Sequence, residues 1–149
     1  MDKDAKVPSF TPQEIAYIRT QTYGRLATVD ARGEPHVTPV GFFFDAENGL
    51  IDIVGRDMGN SRKYRNVQRN GRVAFVIDDI PCRDPETVRA VVVRGTAQAL
   101  VTGGRSHVPV CADEMIRIHP ARVVSWGLTD ASHPEAAPTE AEGAEASQR

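Results

Sequence analysis

The sequence predicts a mainly β protein with a few helices, folded as a small antiparallel barrel in one domain. Three observations lead there. Several short segments between residues 25 and 126 are rich in β-formers and alternate apolar with polar residues, the period of a half-buried strand. Their links, such as Ala31-Arg32-Gly33 and Asp45-Ala46-Glu47-Asn48-Gly49, have the length of hairpin turns rather than of helical crossovers. One or two helical signatures stand against six or seven strands, which argues for a closed antiparallel sheet over a βαβ arrangement.

In chain order, Thr11-Pro12-Gln13-Glu14 is a capping box with proline at the first helical position. Ile15, Tyr17 and Ile18 give that helix an apolar stripe, and it ends before Gly24. Arg25–Asp30 is the first strand and His36–Phe44 the second. Within the second, Pro39 removes a ladder donor and Gly41 marks a bulge or the close approach of another group. Leu50–Val54 is the third strand. Gly55–Gly71 concentrates basic residues and contains a helix started by Asn60 or Ser61 and running to Asn70. Arg72–Asp78 is a strongly apolar strand, and Thr87–Val101 is a long one bent at Gly95. After a short Gly-rich interval around Thr102-Gly103-Gly104-Arg105, strand alternation resumes at Met115–His119 and Arg122–Trp126, broken by Pro120. From Asp130 onward no large apolar residue remains, so burial cannot offset ordering entropy. The organisation expected is an N-terminal extension (1–10), a barrel domain (11–129) and a disordered acidic tail (130–149).

Composition narrows the function. With 149 residues, 40% hydrophobic, 26% charged and a net charge of -2, the chain is no bulk polyanion binder. Its apolar runs are too short to span a membrane, and Met1-Asp2-Lys3-Asp4 leads into no secretory signal, so the expected location is the cytoplasm. Cys82 and Cys111 form no C-x-x-C, and His107, His119 and His133 lack ligand spacing, so no metal is expected. Ser61, Ser106 and Ser125 lie in no nucleophile motif.

The second helix carries the sharpest signal. Its first turn contains Arg62 and Lys63, at the end where the helix dipole is already positive. Each such cation costs about a few tenths of a kcal/mol unless an anion sits against it. Free backbone N–H groups, the Ser61 hydroxyl and Lys63 together make a phosphate site. Arg56 adds a cation just upstream, and Gly55 and Gly59 give the connection freedom to wrap a ligand. Arg62, Arg65 and Arg69 recur at helical spacing and could follow a nucleic-acid backbone, but no recognition module or stacking motif accompanies them. The bland alternative is a solvated basic helix.

The ordered set LATVDARGEPHVTPVGFFFD, IDIVGRDMGNSRKYRNVQRN, RVAFVIDD, VRGTAQAL and MIRIHPARVVSWGL resembles the pyridoxamine 5'-phosphate oxidase-like split β-barrel superfamily over most of residues 11–129. Within it, the nearest likeness is to the flavin/deazaflavin oxidoreductases, the branch of small coenzyme F420-dependent enzymes. The resemblance implies a homodimer with two cofactor sites at the interface. It implies that Ser61, Arg62 and Lys63 hold the cofactor phosphate, with Asn66 one turn on, and that Arg56 and Asp57 lie along the cofactor. Thr38, Pro39, Val40 and Gly41 would face the isoalloxazine-like ring, and Trp126 would stand near it, from the partner subunit.

The cofactor expected is coenzyme F420, whose phosphate and polyglutamate tail suit Arg56, Arg62, Arg65 and Arg69; FMN, with a single phosphate, is the alternative. The implied activity is hydride transfer from the reduced deazaflavin to a small organic acceptor with a C=C, C=N or quinone-like bond. His36 and Tyr64 are candidate proton donors. A true pyridoxamine-phosphate oxidase needs further cations near the C-terminus, where only Arg117 and Arg122 stand. A non-catalytic flavin- or haem-binding protein is the remaining reading, with His36 or His119 as the axial ligand for haem.

Overall fold

The computed structural model describes residues 9–128, so the tail expected over 130–149 and residues 1–8 of the extension lie outside the described residues. In chain order the elements are α1 (Pro12–Arg19), β1 (Tyr23–Val29), β2 (Pro35–Asp45), β3 (Leu50–Ile53), a 3-10 turn (Met58–Asn60), α2 (Arg62–Arg69), β4 (Arg72–Arg83), β5 (Glu86–Leu100), α3 (Gly104–His107) and β6 (Met115–Trp126). All strand pairs are antiparallel, and the six close into a barrel in the order β1-β2-β3-β6-β5-β4.

Alternation fills the interior as the sequence requires. Leu26, Phe42, Ile51, Ile53, Phe75, Ile77, Val91, Val93, Ile116 and Ile118 are all buried, and Phe75 meets Phe42 edge-on at 5.4 Å. A side chain at Gly24 would collide with the Phe75 ring. α1 forms its capping box, with Glu14 N–H donating to Thr11 Oγ1 at 3.1 Å and Thr11 N–H to Glu14 Oε1 at 2.9 Å. Phe10, assigned by the sequence to the extension, is instead part of the core, packed edge-on against Phe44 at 4.9 Å.

Three sequence expectations change. β4 runs past Asp78 to Arg83, because β5 keeps pairing with it beyond a register shift between Asp79 and Cys82. The last strand is not broken at Pro120: β6 is continuous, and Pro120 pairs with Gly95 at a register shift in β5. A Cβ on Gly95 would strike the His119 backbone, so the bend and the apparent break are one bulge where two strands turn a barrel corner. The Gly-rich interval before β6 contains the one-turn helix α3, making three α-helices among the described residues rather than one or two.

Two features set up the site. β3 pairs with β2 only over Phe42–Asp45, so among the described residues, 35–41 of β2 keep β1 as their one strand neighbour. Phe42 N–H points to β1, bonding Thr22 O at 3.3 Å. Strand alternation therefore turns the Pro39 nitrogen to the bare edge, where a missing donor leaves no ladder bond unmade. The second feature is α2, which packs against β1, β5 and β6.

Candidate functional site

The turn leading into α2 is fixed from within. Met58 is 1% exposed and plugs the connection into the core. Ser61 is the N-cap: its Oγ donates to Met58 O at 2.6 Å and accepts Tyr64 N–H at 3.3 Å. Asn60 Nδ2 donates to Asp57 Oδ1 at 2.9 Å. Arg56 and Asp57 are exposed on this turn.

One face of α2 holds the helix down. Tyr64, Asn66 and Val67 are buried; the Tyr64 hydroxyl donates to Leu100 O at 3.1 Å, and Asn66 Nδ2 donates to Thr28 Oγ1 at 3.0 Å. Tyr64 is thus committed to the fold, and the Asn66 amide nitrogen faces inward. Arg62, Arg65 and Arg69 occupy the exposed face, with Asp30, Ala31 and Asn66 lining a groove of about 400 Å³. Asp30 accepts the N–H groups of Glu34 and Arg32 at 2.9 and 2.8 Å, and those bonds hold its carboxyl below the usual range. Three guanidinium groups therefore share a groove whose lining contains one carboxylate.

Lys63 is partly buried, and burial pulls its ammonium below the ordinary lysine value. No carboxylate pairs with it among the described residues. A cation drawn out of water normally has a counter-charge. Beside it are the N–H groups of the first helical turn, which have no carbonyl partner inside the helix. Tyr64 N–H is taken by Ser61 Oγ, and the N–H groups of Arg62 and Lys63 with the Lys63 ammonium are donors of the kind that suit an anion.

Thr38, Pro39, Val40 and Gly41 sit on the bare-edged stretch of β2. A Cβ at Gly41 would meet only Thr22 O, at 3.9 Å, so nothing in the fold itself demands glycine there. Trp126 stands elsewhere. It is 51% exposed at the end of β6, opposite Ala90. It lines a cavity of about 250 Å³ with Val92, Arg94, Arg122 and Val124, and another of about 320 Å³ reaching Thr11 and Leu128; neither includes residues 55–66.

His36 lies opposite Thr28, and its Nδ1 is buried without a partner among the described residues. Arg117 is spent on a bidentate pair with Asp52, Nε to Oδ1 at 2.8 Å and Nη2 to Oδ2 at 3.0 Å, and is not free for a second phosphate. Sequence reasoning missed the cluster behind that pair: His107 Nε2 lies 2.9 Å from Asp52 Oδ2. Asp52, a lone acid inside an apolar strand, was its one visible signal. Cys82 and Cys111 are free thiols. No helix among the described residues is long and apolar enough to cross a membrane.

Comparison with known proteins agrees with this architecture. The sequence profile described as pyridoxamine 5'-phosphate oxidase matches residues 10–139. A 5a,11a-dehydrotetracycline/5a,11a-dehydrooxytetracycline reductase of Streptomyces rimosus is 69% identical over 119 residues, covering 80% of this chain and 84% of the reductase. Among solved structures, a conserved hypothetical protein of Mycobacterium tuberculosis superposes with TM-score 0.63 at 20% identity, over 92% of this chain and 97% of its own. An FAD-binding protein of Mycobacterium smegmatis gives TM-score 0.59 at 19% identity, over 78% and 94%. At such identities these two structures speak to the fold.

Proposed function

From the premise that this chain belongs to the pyridoxamine 5'-phosphate oxidase family and is an oxidoreductase, we propose that it is a coenzyme F420-dependent reductase of an electron-poor C=C bond in a polycyclic acceptor. The observation that carries the reading is Lys63, a partly buried ammonium without a carboxylate partner among the described residues, in the first turn of α2 beside the Ser61 cap. In this reading Lys63 and the N–H groups of the helix start grip the coenzyme phosphate, with Ser61 holding that start in place through its bonds to Met58 O and Tyr64 N–H, while Arg62, Arg65 and Arg69 take the carboxylates of its tail along their groove. The bare edge of β2 at Thr38–Gly41 backs the ring, and Arg56 and Asp57 lie along the same path. When bound, the reduced deazaflavin supplies a hydride to one carbon of the double bond, and a proton on the other completes the reduction. The protein's share is to hold, orient and shield.

The acceptor class comes from the Streptomyces rimosus reductase, which is named for dehydrotetracyclines. FMN is the second reading, favoured by the FAD-binding protein of the same fold and by an anchor that one phosphate would satisfy. The enzyme works as a homodimer here. Cross-strand registers align Pro39, Arg25, Val76, Val92 and Val124 in one outward row beside Trp126, and Val124 and Trp126 are 43% and 51% exposed. A second copy would cover that face and bring its Trp126 to the neighbouring ring.

The test is to mix the protein with 5a,11a-dehydrotetracycline and either reduced F420 or reduced FMN, and to follow reappearance of the oxidised coenzyme. Turnover with F420 and little with FMN is expected. Turnover with FMN alone moves the assignment to the second reading, and none with either removes the function.

A further inference from the structure

Asp52 is an acid on the outside of the barrel that water barely reaches. Its neighbours Ile51 and Ile53 face the core, so strand alternation turns Asp52 outward, yet it is only 6% exposed. What covers it is the segment between β5 and β6. His107 places Nε2 2.9 Å from Asp52 Oδ2, and its ring stacks on Phe43 with centroids 4.5 Å apart at 14°. Arg117, the cross-strand partner of Asp52, closes the other side. Burial alone would raise the carboxyl, but the hydrogen bonds and charge of Arg117 and His107 outweigh it and hold the group below the usual range.

The same segment reaches the other way. Asp113 Oδ1 accepts the N–H groups of Gly103 and Arg105 at 3.2 and 3.3 Å, and Asp113 O accepts Gly104 N–H at 2.8 Å, closing residues 103–113 into a loop. Its outgoing limb donates Ala112 N–H to Gly55 O at 3.0 Å. The Glu114 carboxyl lies against Gly59, where an added Cβ would sit 3.1 Å away. Gly55 and Gly59 bracket the turn that delivers Ser61. A continuous path of contacts thus runs from Asp52 through His107 and the loop to the mouth of α2.

We infer that Asp52 and His107 are positioning residues: they clamp the 103–114 loop as a brace behind Gly55–Gly59 and so set where Ser61 and Lys63 stand. The inference rests on the proposed function, since the anchor it serves is the coenzyme anchor. Neither residue touches the coenzyme. Their effect is geometric: they hold the anchor where its donors converge on the coenzyme.

The experiment titrates F420 and FMN against the full chain by fluorescence, for the wild type, His107→Ala, His107→Gln, Asp113→Ala and Arg105→Ala, with thermal melts and steady-state kinetics alongside. His107→Ala and Asp113→Ala are expected to weaken coenzyme binding about tenfold and to raise the KM for coenzyme. The kcat at saturating coenzyme should stay within about twofold, as for a lost ground-state contact. His107→Gln, still able to donate to Asp52, should recover most of the affinity, and Arg105→Ala, which leaves the loop's ties intact, should behave as wild type. Wild-type affinity in His107→Ala overturns the brace, as does a loss that tracks the melting temperature and is not rescued by glutamine. A wild-type protein that binds neither coenzyme overturns the proposed function and the brace with it.

Discussion

At the scale of single residues, Lys63 is in conflict with its own fold: a charge drawn partly out of water at the positive end of a helix. Lys63→Met keeps the aliphatic stem and removes the charge. Its expected outcome is an unchanged or higher melting temperature without coenzyme, together with coenzyme binding weaker by about 1.4 kcal/mol or more, a factor of ten. Two partly buried acids behave in the opposite sense. The Asp79 carboxyl is held low by hydrogen bonds from Arg89 at 2.9 and 2.6 Å, against an opposing effect of burial, with the Tyr17 hydroxyl adding a bond at 2.9 Å. Asp52 is held low by Arg117 and His107, again against burial. On unfolding both return to ordinary values, so the unfolded chain binds protons first as the pH falls. Their stabilisation is complete above about pH 4 and disappears as the pH drops through the lower folded values. Thermal melts between pH 6 and pH 3 should therefore steepen below about pH 4, and Asp79→Asn should flatten part of that slope. An unchanged slope would contradict the account.

At the scale of elements, the hairpins were legible because alternation and turn residues are local signals. In the sequence the β5–β6 bulge shows only as two separate disturbances, at Gly95 and Pro120, because only pairing reveals that they face each other. Gly95→Ala would drive a methyl into the His119 backbone and should cost about 1–3 kcal/mol in a denaturant titration. The extension of β4 was hidden by Ile80-Pro81-Cys82, which reads as loop, and α3 is too short to show a helical period. For the site, α2 was visible because its basic residues are contiguous. The Asp52 cluster was not, since it joins residues 55 and 65 positions apart. The exposed face of α2 also predicts selectivity. Replacing Arg65 and Arg69 together by serine should weaken F420 binding several-fold while leaving FMN nearly untouched, because only F420 carries a tail for that groove.

At the scale of the molecule, one chain leaves its candidate residues in two places, the α2 mouth and the Trp126 face. A second copy is what joins them in the proposed enzyme. Val124→Glu, placed at the exposed end of the outward row beside Trp126, should shift sedimentation from the mass of two chains towards one and reduce coenzyme binding in parallel. A dimer unaffected by that charge would move the interface elsewhere. The central claim meets its most direct check in a parallel fluorescence titration of wild type and Lys63→Ala with F420 and FMN. The account predicts micromolar or tighter binding of F420, weaker binding of FMN, and a loss of about tenfold or more on removing the Lys63 ammonium. Absence of binding to both coenzymes, or identical affinity in Lys63→Ala, would contradict it.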